Sequence, residues 1–140
     1  MTYDVQYLKP FRDAILAALD TLVESGDLVN VMYGEVSRPS NFPIIFMTQI
    51  QDSTTPESST HFKHVWRVGL LLIAKPSTET AAEDTTVLGG KIRDVLENDR
   101  TFTGTCDDSW IELFETEERK QPEGFWLHFV GLTLHAVKEW

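Results

Sequence analysis

The stretch His61-Phe-Lys-His-Val-Trp-Arg-Val-Gly-Leu-Leu-Leu-Ile-Ala-Lys75 decides the fold class. Trp66, Val68, Leu70, Leu72 and Ala74 alternate with Val65, Arg67, Gly69, Leu71, Ile73 and Lys75. A period of two is the signature of a β-strand, whose successive side chains point to opposite faces. At about 3.3 Å per residue the segment would extend about 50 Å. A domain of this size has a radius of gyration of roughly 14 Å, so the strand is too long for a simple sheet. Either it bends at a bulge, with Gly69 the candidate, or the hairpin around residues 52–60 projects as an arm. The arm is the favoured reading.

Upstream, Asp52-Ser-Thr-Thr-Pro-Glu-Ser-Ser-Thr60 is polar and aperiodic, the most loop-like part of the chain. Pro43 to Gln51 reads as a strand through Ile44, Ile45, Phe46 and Ile50, and Ser37 to Asn41 has turn chemistry. Leu28 to Tyr33 is a short strand ended by Gly34. Before it, Phe11, Ile15, Leu16, Leu19, Leu22 and Val23 follow helical spacing from Lys9 to Glu24. Pro10 suits the first turn and Gly26 the stop. Downstream, Pro76 and Ser77 end the long strand. Thr80 to Asn98 forms a second helix, with Val87, Leu88, Ile92, Val95 and Leu96 on its apolar face. Gly89-Gly90 within it costs about 1 kcal/mol per glycine relative to alanine, which points to close approach to the sheet or a kink. Trp110 to Glu117 and Phe125 to Lys138 are the last strands, separated by a turn at Lys120 to Gly124. Helix, three strands, helix, two strands is an α+β order. The expected architecture is one domain over residues 1–140. It has a mixed, mainly antiparallel sheet of about five strands and two helices on one face.

That sheet carries too much apolar surface for its cover. Trp126, His128, Val130, Leu132, Leu134 and Ala136 alternate with Phe125, Leu127, Phe129, Gly131, Thr133, His135 and Val137, and both sets are largely apolar. Five strands at 4.8 Å span roughly 24 Å, and two helices about 10 Å across cover one face of that width. An apolar second face either is covered by a strongly curled sheet folding onto itself or marks a protein–protein interface, and self-association is the expectation.

The 140 residues suffice for a core without staples, and 41% apolar with 24% charged residues is ordinary for a globular chain. No apolar run approaches the roughly 18–20 residues of a membrane span. The opening Met-Thr-Tyr-Asp-Val-Gln-Tyr has neither basic nor apolar leader character, which reads as synthesis in the cytoplasm. The net charge is −10, with no Lys/Arg cluster of the kind that captures a phosphate backbone. Cys106 is the lone cysteine, and Asp107 and Asp108 beside it disfavour a thiolate. His61 and His64 fall on opposite strand faces, as do His128 and His135, and no HExxH or cysteine pair exists, so no metal site is expected. Asp107, Asp108, Glu112 and Glu115 lack a partner base or oxyanion motif. No catalytic residue and no cofactor is assigned, and the chain reads as a non-enzyme.

The layout resembles the tail terminator, or tail completion, proteins of long-tailed bacteriophages and related minor tail and neck components. The likeness runs through the helix ending near Gly26, Leu28-Val-Asn-Val-Met-Tyr33, Pro43-Ile-Ile-Phe46 and the Ser/Thr-rich loop. It continues through His64 to Lys75, Lys91-Ile-Arg-Asp-Val-Leu-Glu97 and the two late strands. The resemblance implies a structural virion subunit, a homohexameric ring on the head-proximal end of the tail tube. Such a ring ends tube polymerisation and joins tail to head. Its partners would be further copies of itself, the tail tube protein and the head–tail connector, with no membrane and with DNA only a passing, unbound cargo. An acidic lumen would repel phosphate. The residues assigned to contact are Arg38 and Phe42 in the turn, with Thr54, Thr55, Glu57, Ser58, Ser59, His61 and Phe62 in the arm. Two rivals stay open. One is a head-completion or neck connector protein; the other is a cellular α+β dimer that binds a small ligand or acts as an enzyme.

Overall fold

The structure is a computed structural model that describes residues 7–33, 43–74, 81–120, 122, 124 and 126–139. Helix α1 (Lys9–Glu24) buries Phe11, Ile15, Leu19 and Leu22, the stripe its periodicity predicts. Gly26 ends it at φ +88°, in the left-handed region where glycine has no Cβ penalty. Strands β1 (Asn30–Tyr33) and β2 (Ile44–Met47) run parallel. Strands β3 (Gln51–Pro56) and β4 (Phe62–Ala74) form a hairpin. Helix α2 (Ala81–Glu97) precedes β5 (Asp108–Lys120) and β6 (Trp126–Glu139). The fold is α+β, a six-stranded mixed sheet in the order β1-β2-β4-β6-β5, with β3 paired beside β4.

The sheet therefore has one strand more than the sequence suggests. The aperiodic 52–60 segment is not wholly irregular, because Gln51–Pro56 is a strand. Its antiparallel partner is Phe62–Arg67 of β4. The segment Pro43–Gln51 is correspondingly shorter, since β2 stops at Met47. Strands β2 and β3 lie end to end along the same edge of β4, opposite Leu70–Ile73 and Phe62–Arg67 respectively. Gly69 sits at the step between them. The Thr48 N–H donates to the Gly69 carbonyl at 2.9 Å, and the Gly69 N–H donates to Thr48 Oγ1 at 2.8 Å. A Cβ on Gly69 would meet the Thr48 side chain at 3.2 Å, which is why a glycine fits. No bulge forms there, for β4 pairs β6 without interruption from Lys63↔Glu139 to Ala74↔His128. The bulge lies instead in β5, between Ile111 and Leu113.

Even-numbered residues of β4 and β6 face the helices. Phe11 packs on Trp66 at 4.8 Å and meets Phe102 edge-on at 5.6 Å. Val68, Leu70, Leu72, Val130, Leu132, Leu134 and Ala136 complete the sheet side of one core. On α2 the buried positions are Thr85, Gly89, Ile92 and Leu96, whereas Val87, expected on the apolar face, is exposed. Gly89 brings α2 against the sheet, where a Cβ would lie 2.9 Å from Val130 Cγ1 and 3.2 Å from Phe114 Cζ. Gly90 faces open space.

Candidate assembly surface

Two surfaces concentrate the exposed side chains of interest. The first is the β3–β4 hairpin. Every residue of β3 is exposed, Thr54 and Thr55 included. Glu57, Ser58, Ser59 and His61 form the connecting turn, and Phe62 opens β4 with its ring partly in solvent. The turn is built by side chains as well as backbone. The Glu57 and Ser58 N–H groups donate to the His61 carbonyl at 3.0 and 3.2 Å, while Ser58 Oγ accepts from the His61 N–H at 3.0 Å. At the base, His64 Nδ1 lies 3.1 Å from Asp52 Oδ2 and 3.0 Å from Thr54 Oγ1, across the strand pair. The hairpin thus unites Thr54, Thr55, Glu57, Ser58, Ser59, His61 and Phe62. Arg38 and Phe42 lie outside the described residues.

The second surface is the sheet face turned away from the helices. Directly paired residues of antiparallel strands share a face, so Trp110 joins His135, Leu113 joins Thr133, and Leu71 joins Gly131. Leu71, Trp110 and Leu113 are 37%, 38% and 48% exposed. No described helix covers them. At the centre, the Trp110 indole stacks on the His135 imidazole with centroids 4.3 Å apart and planes 18° from parallel. The bulge turns Glu112 to the same spot, where its Oε2 lies 3.2 Å from His135 Nδ1 and 3.4 Å from Arg67 Nε. The hydrogen bond with His135 holds the Glu112 carboxyl below the usual carboxylate range, and the Arg67 charge adds to it. Aromatic and arginine anchors of this kind dominate binding energy at interfaces.

The carboxylates considered together in the sequence are dispersed into separate pairings. Asp108 accepts from Arg100 at 2.8 Å, and Asp107 accepts the Glu139 N–H at 2.7 Å. His128 and His135 do fall on opposite faces, the former 3.6 Å from Glu118. Among the described residues no group of three or more metal-ligating side chains forms. Between α1 and α2 runs an open groove of about 530 Å³ floored by Ala14, Ala17 and Ala18 and rimmed by Asp94 and Asp99. Sequence alternation missed the Trp110 centre, because it sets Leu113 beside Ile111. The bulge moves it to the other face.

No family model matches this chain, and no curated protein matches it. A chain from the solved "Virion of native gene transfer agent (GTA) particle" does. The two chains share a fold. The TM-score is 0.68 at 12% identity, over 99% of this chain and 100% of that one. The likeness runs over nearly the full length of both chains. Among the described residues no helix is long and apolar enough to cross a membrane.

Proposed function

We propose that the chain is a structural protein of a virion, and that it caps the head-proximal end of a tail tube as a ring, ending tube growth and joining the tail to the head connector. The observation that carries this reading is the end-to-end likeness of fold to a chain of a gene transfer agent virion. The exposed apolar sheet face supports it, since such a face needs a protein cover. The hairpin residues Thr54, Thr55, Glu57, Ser58, Ser59, His61 and Phe62 are proposed as contacts to the tube, and Arg38 and Phe42, from the turn that precedes them in sequence, are proposed as further contacts. A net charge of −10 suits a passage through which DNA moves without being held.

Deleting the gene and imaging the resulting particles by negative stain tests the reading. A cap that ends polymerisation predicts tails of uncontrolled length that fail to join heads. Tails of normal length left unjoined would favour the head-completion or neck reading instead. Intact, infectious particles would overturn the virion role.

A further inference from the structure

We infer that β5 is fastened to β6 by two histidine–carboxylate pairs, one on each face of the sheet, so that protons set how firmly this outer strand is held. Strand β5 needs fastening. It ends the sheet, with β6 its one strand partner among the described residues, and from Glu115 to Lys120 it is exposed throughout. The bulge between Ile111 and Leu113 also interrupts its ladder and leaves Glu112 with no residue opposite it on β6.

The charges on the two strands are lopsided. Strand β5 carries Asp108, Glu112, Glu115, Glu117 and Glu118 against Arg119 and Lys120. The stretch of β6 paired to it, Trp126 to Val137, holds no fixed charge, and its titratable residues are His128 and His135. Each stands against a glutamate of β5. His135 Nδ1 lies 3.2 Å from Glu112 Oε2 on the open face, and His128 Nδ1 lies 3.6 Å from Glu118 Oε1 on the helix face. The two imidazoles are only 13% and 11% exposed, which limits the water that screens each pair.

The other groups around each ring set the direction. His135 stacks on Trp110, whose ring face favours a cation. Arg67, opposite it on β4, opposes a second positive charge, but its own contact is with the same Glu112 oxygen at 3.4 Å. Asp108, opposite Val137, is taken by Arg100. Around His128, β4 contributes Ala74 and α2 contributes Thr85 and Thr86, all uncharged, with Glu83 and Asp84 in the same first turn of α2. Glu117 borders that cavity and pairs with Arg119. Histidine gains its charge as pH falls from 8 to 5. A charged ring attracts its carboxylate, whereas a neutral ring bonds to it in only one tautomer. The clasp therefore tightens from pH 8 toward pH 6. In stronger acid Glu112 stays ionised below the usual carboxylate range, because His135 bonds to it, and its contribution is lost only as pH falls through that lowered range.

Hydrogen exchange on the purified full chain at pH 8 and pH 6, corrected for the intrinsic effect of pH, tests this. Protection of the Leu113–Lys120 amides should rise about threefold on acidification, the scale of a partly exposed ion pair. The Val68–Leu72 amides at the centre of β4 should not follow. Glu112 and Glu118 reach solvent, so Glu112→Gln together with Glu118→Gln removes both charges without touching the core. That double variant should keep the parent's circular dichroism and lose the rise, and each single variant should lose part of it. A parent with no rise, variants that keep it in full, or an equal change at Val68–Leu72 would each overturn the inference.

Discussion

Cys106 shows how much one residue's surroundings determine. The side chain is buried in the main core, and its Sγ–H points to the Arg100 carbonyl at 3.5 Å. Burial, with Asp107 adding to it, pushes the thiol up to about 12 from an ordinary value of 9.0. In the unfolded chain the thiol ionises near that ordinary value, while the folded chain keeps its proton. This contribution to stability is therefore intact below about pH 9 and is lost as pH rises from there toward 12. At pH 8 the native protein should resist iodoacetamide and the urea-unfolded chain should alkylate at an ordinary thiol rate; equal rates would contradict the burial. The adjacent aspartates make the direction legible in the sequence, but the dominant cause, burial, comes from the fold. Glu112 was not legible in this way. Its position at the centre of the open face depends on a bulge defined by pairing with β6, and nothing in Trp-Ile-Glu-Leu announces that one residue will be skipped.

At the scale of elements, the helices were readable because each buries a stripe whose spacing records the helical period, as Phe11, Ile15, Leu19 and Leu22 do. Strand β3 was not. Gln51-Asp-Ser-Thr-Thr-Pro56 is exposed on both faces, so it has no apolar alternation to read, and its strand conformation is imposed by the ladder to β4. The glycine pair in α2 separates two causes that the sequence left together. Gly90→Ala fills open space and gains helix propensity, so it should stabilise by about 1 kcal/mol. Gly89→Ala gains the same propensity but drives a methyl to 2.9 Å from Val130, which is fully buried and cannot retreat. Overpacking of that kind costs about 1–3 kcal/mol, so the net change should be destabilising by about 1 kcal/mol. Thermal denaturation should place the two variants on opposite sides of the parent, each by roughly 3 °C. Two variants that both raise the midpoint would mean that α2 stands further from the sheet.

For the whole molecule, the decisive property is a sheet with one face in the core and the other carrying exposed apolar side chains. Leu71 and Leu72 test it because they are neighbours on β4 with opposite fates. Leu72 is fully buried beneath the helices, whereas Leu71 stands 37% exposed on the open face. Leu72→Ala leaves a cavity in a packed core and should cost about 2–5 kcal/mol. Leu71→Ala removes atoms already in part hydrated and should cost under about 1 kcal/mol. Denaturant titration of the isolated chain should return that order, and similar losses for both would show that the outer face is covered within a single copy. In assembled particles the ranking should invert. If the open face is an assembly contact, as proposed above, Leu71→Asp places a carboxylate where its cover would desolvate it, and an uncompensated buried charge is strongly unfavourable. The variant should therefore fold with a nearly unchanged midpoint, yet be missing from particles when competed against the parent chain. Incorporation at parity would count against the open face as a contact of the proposed assembly.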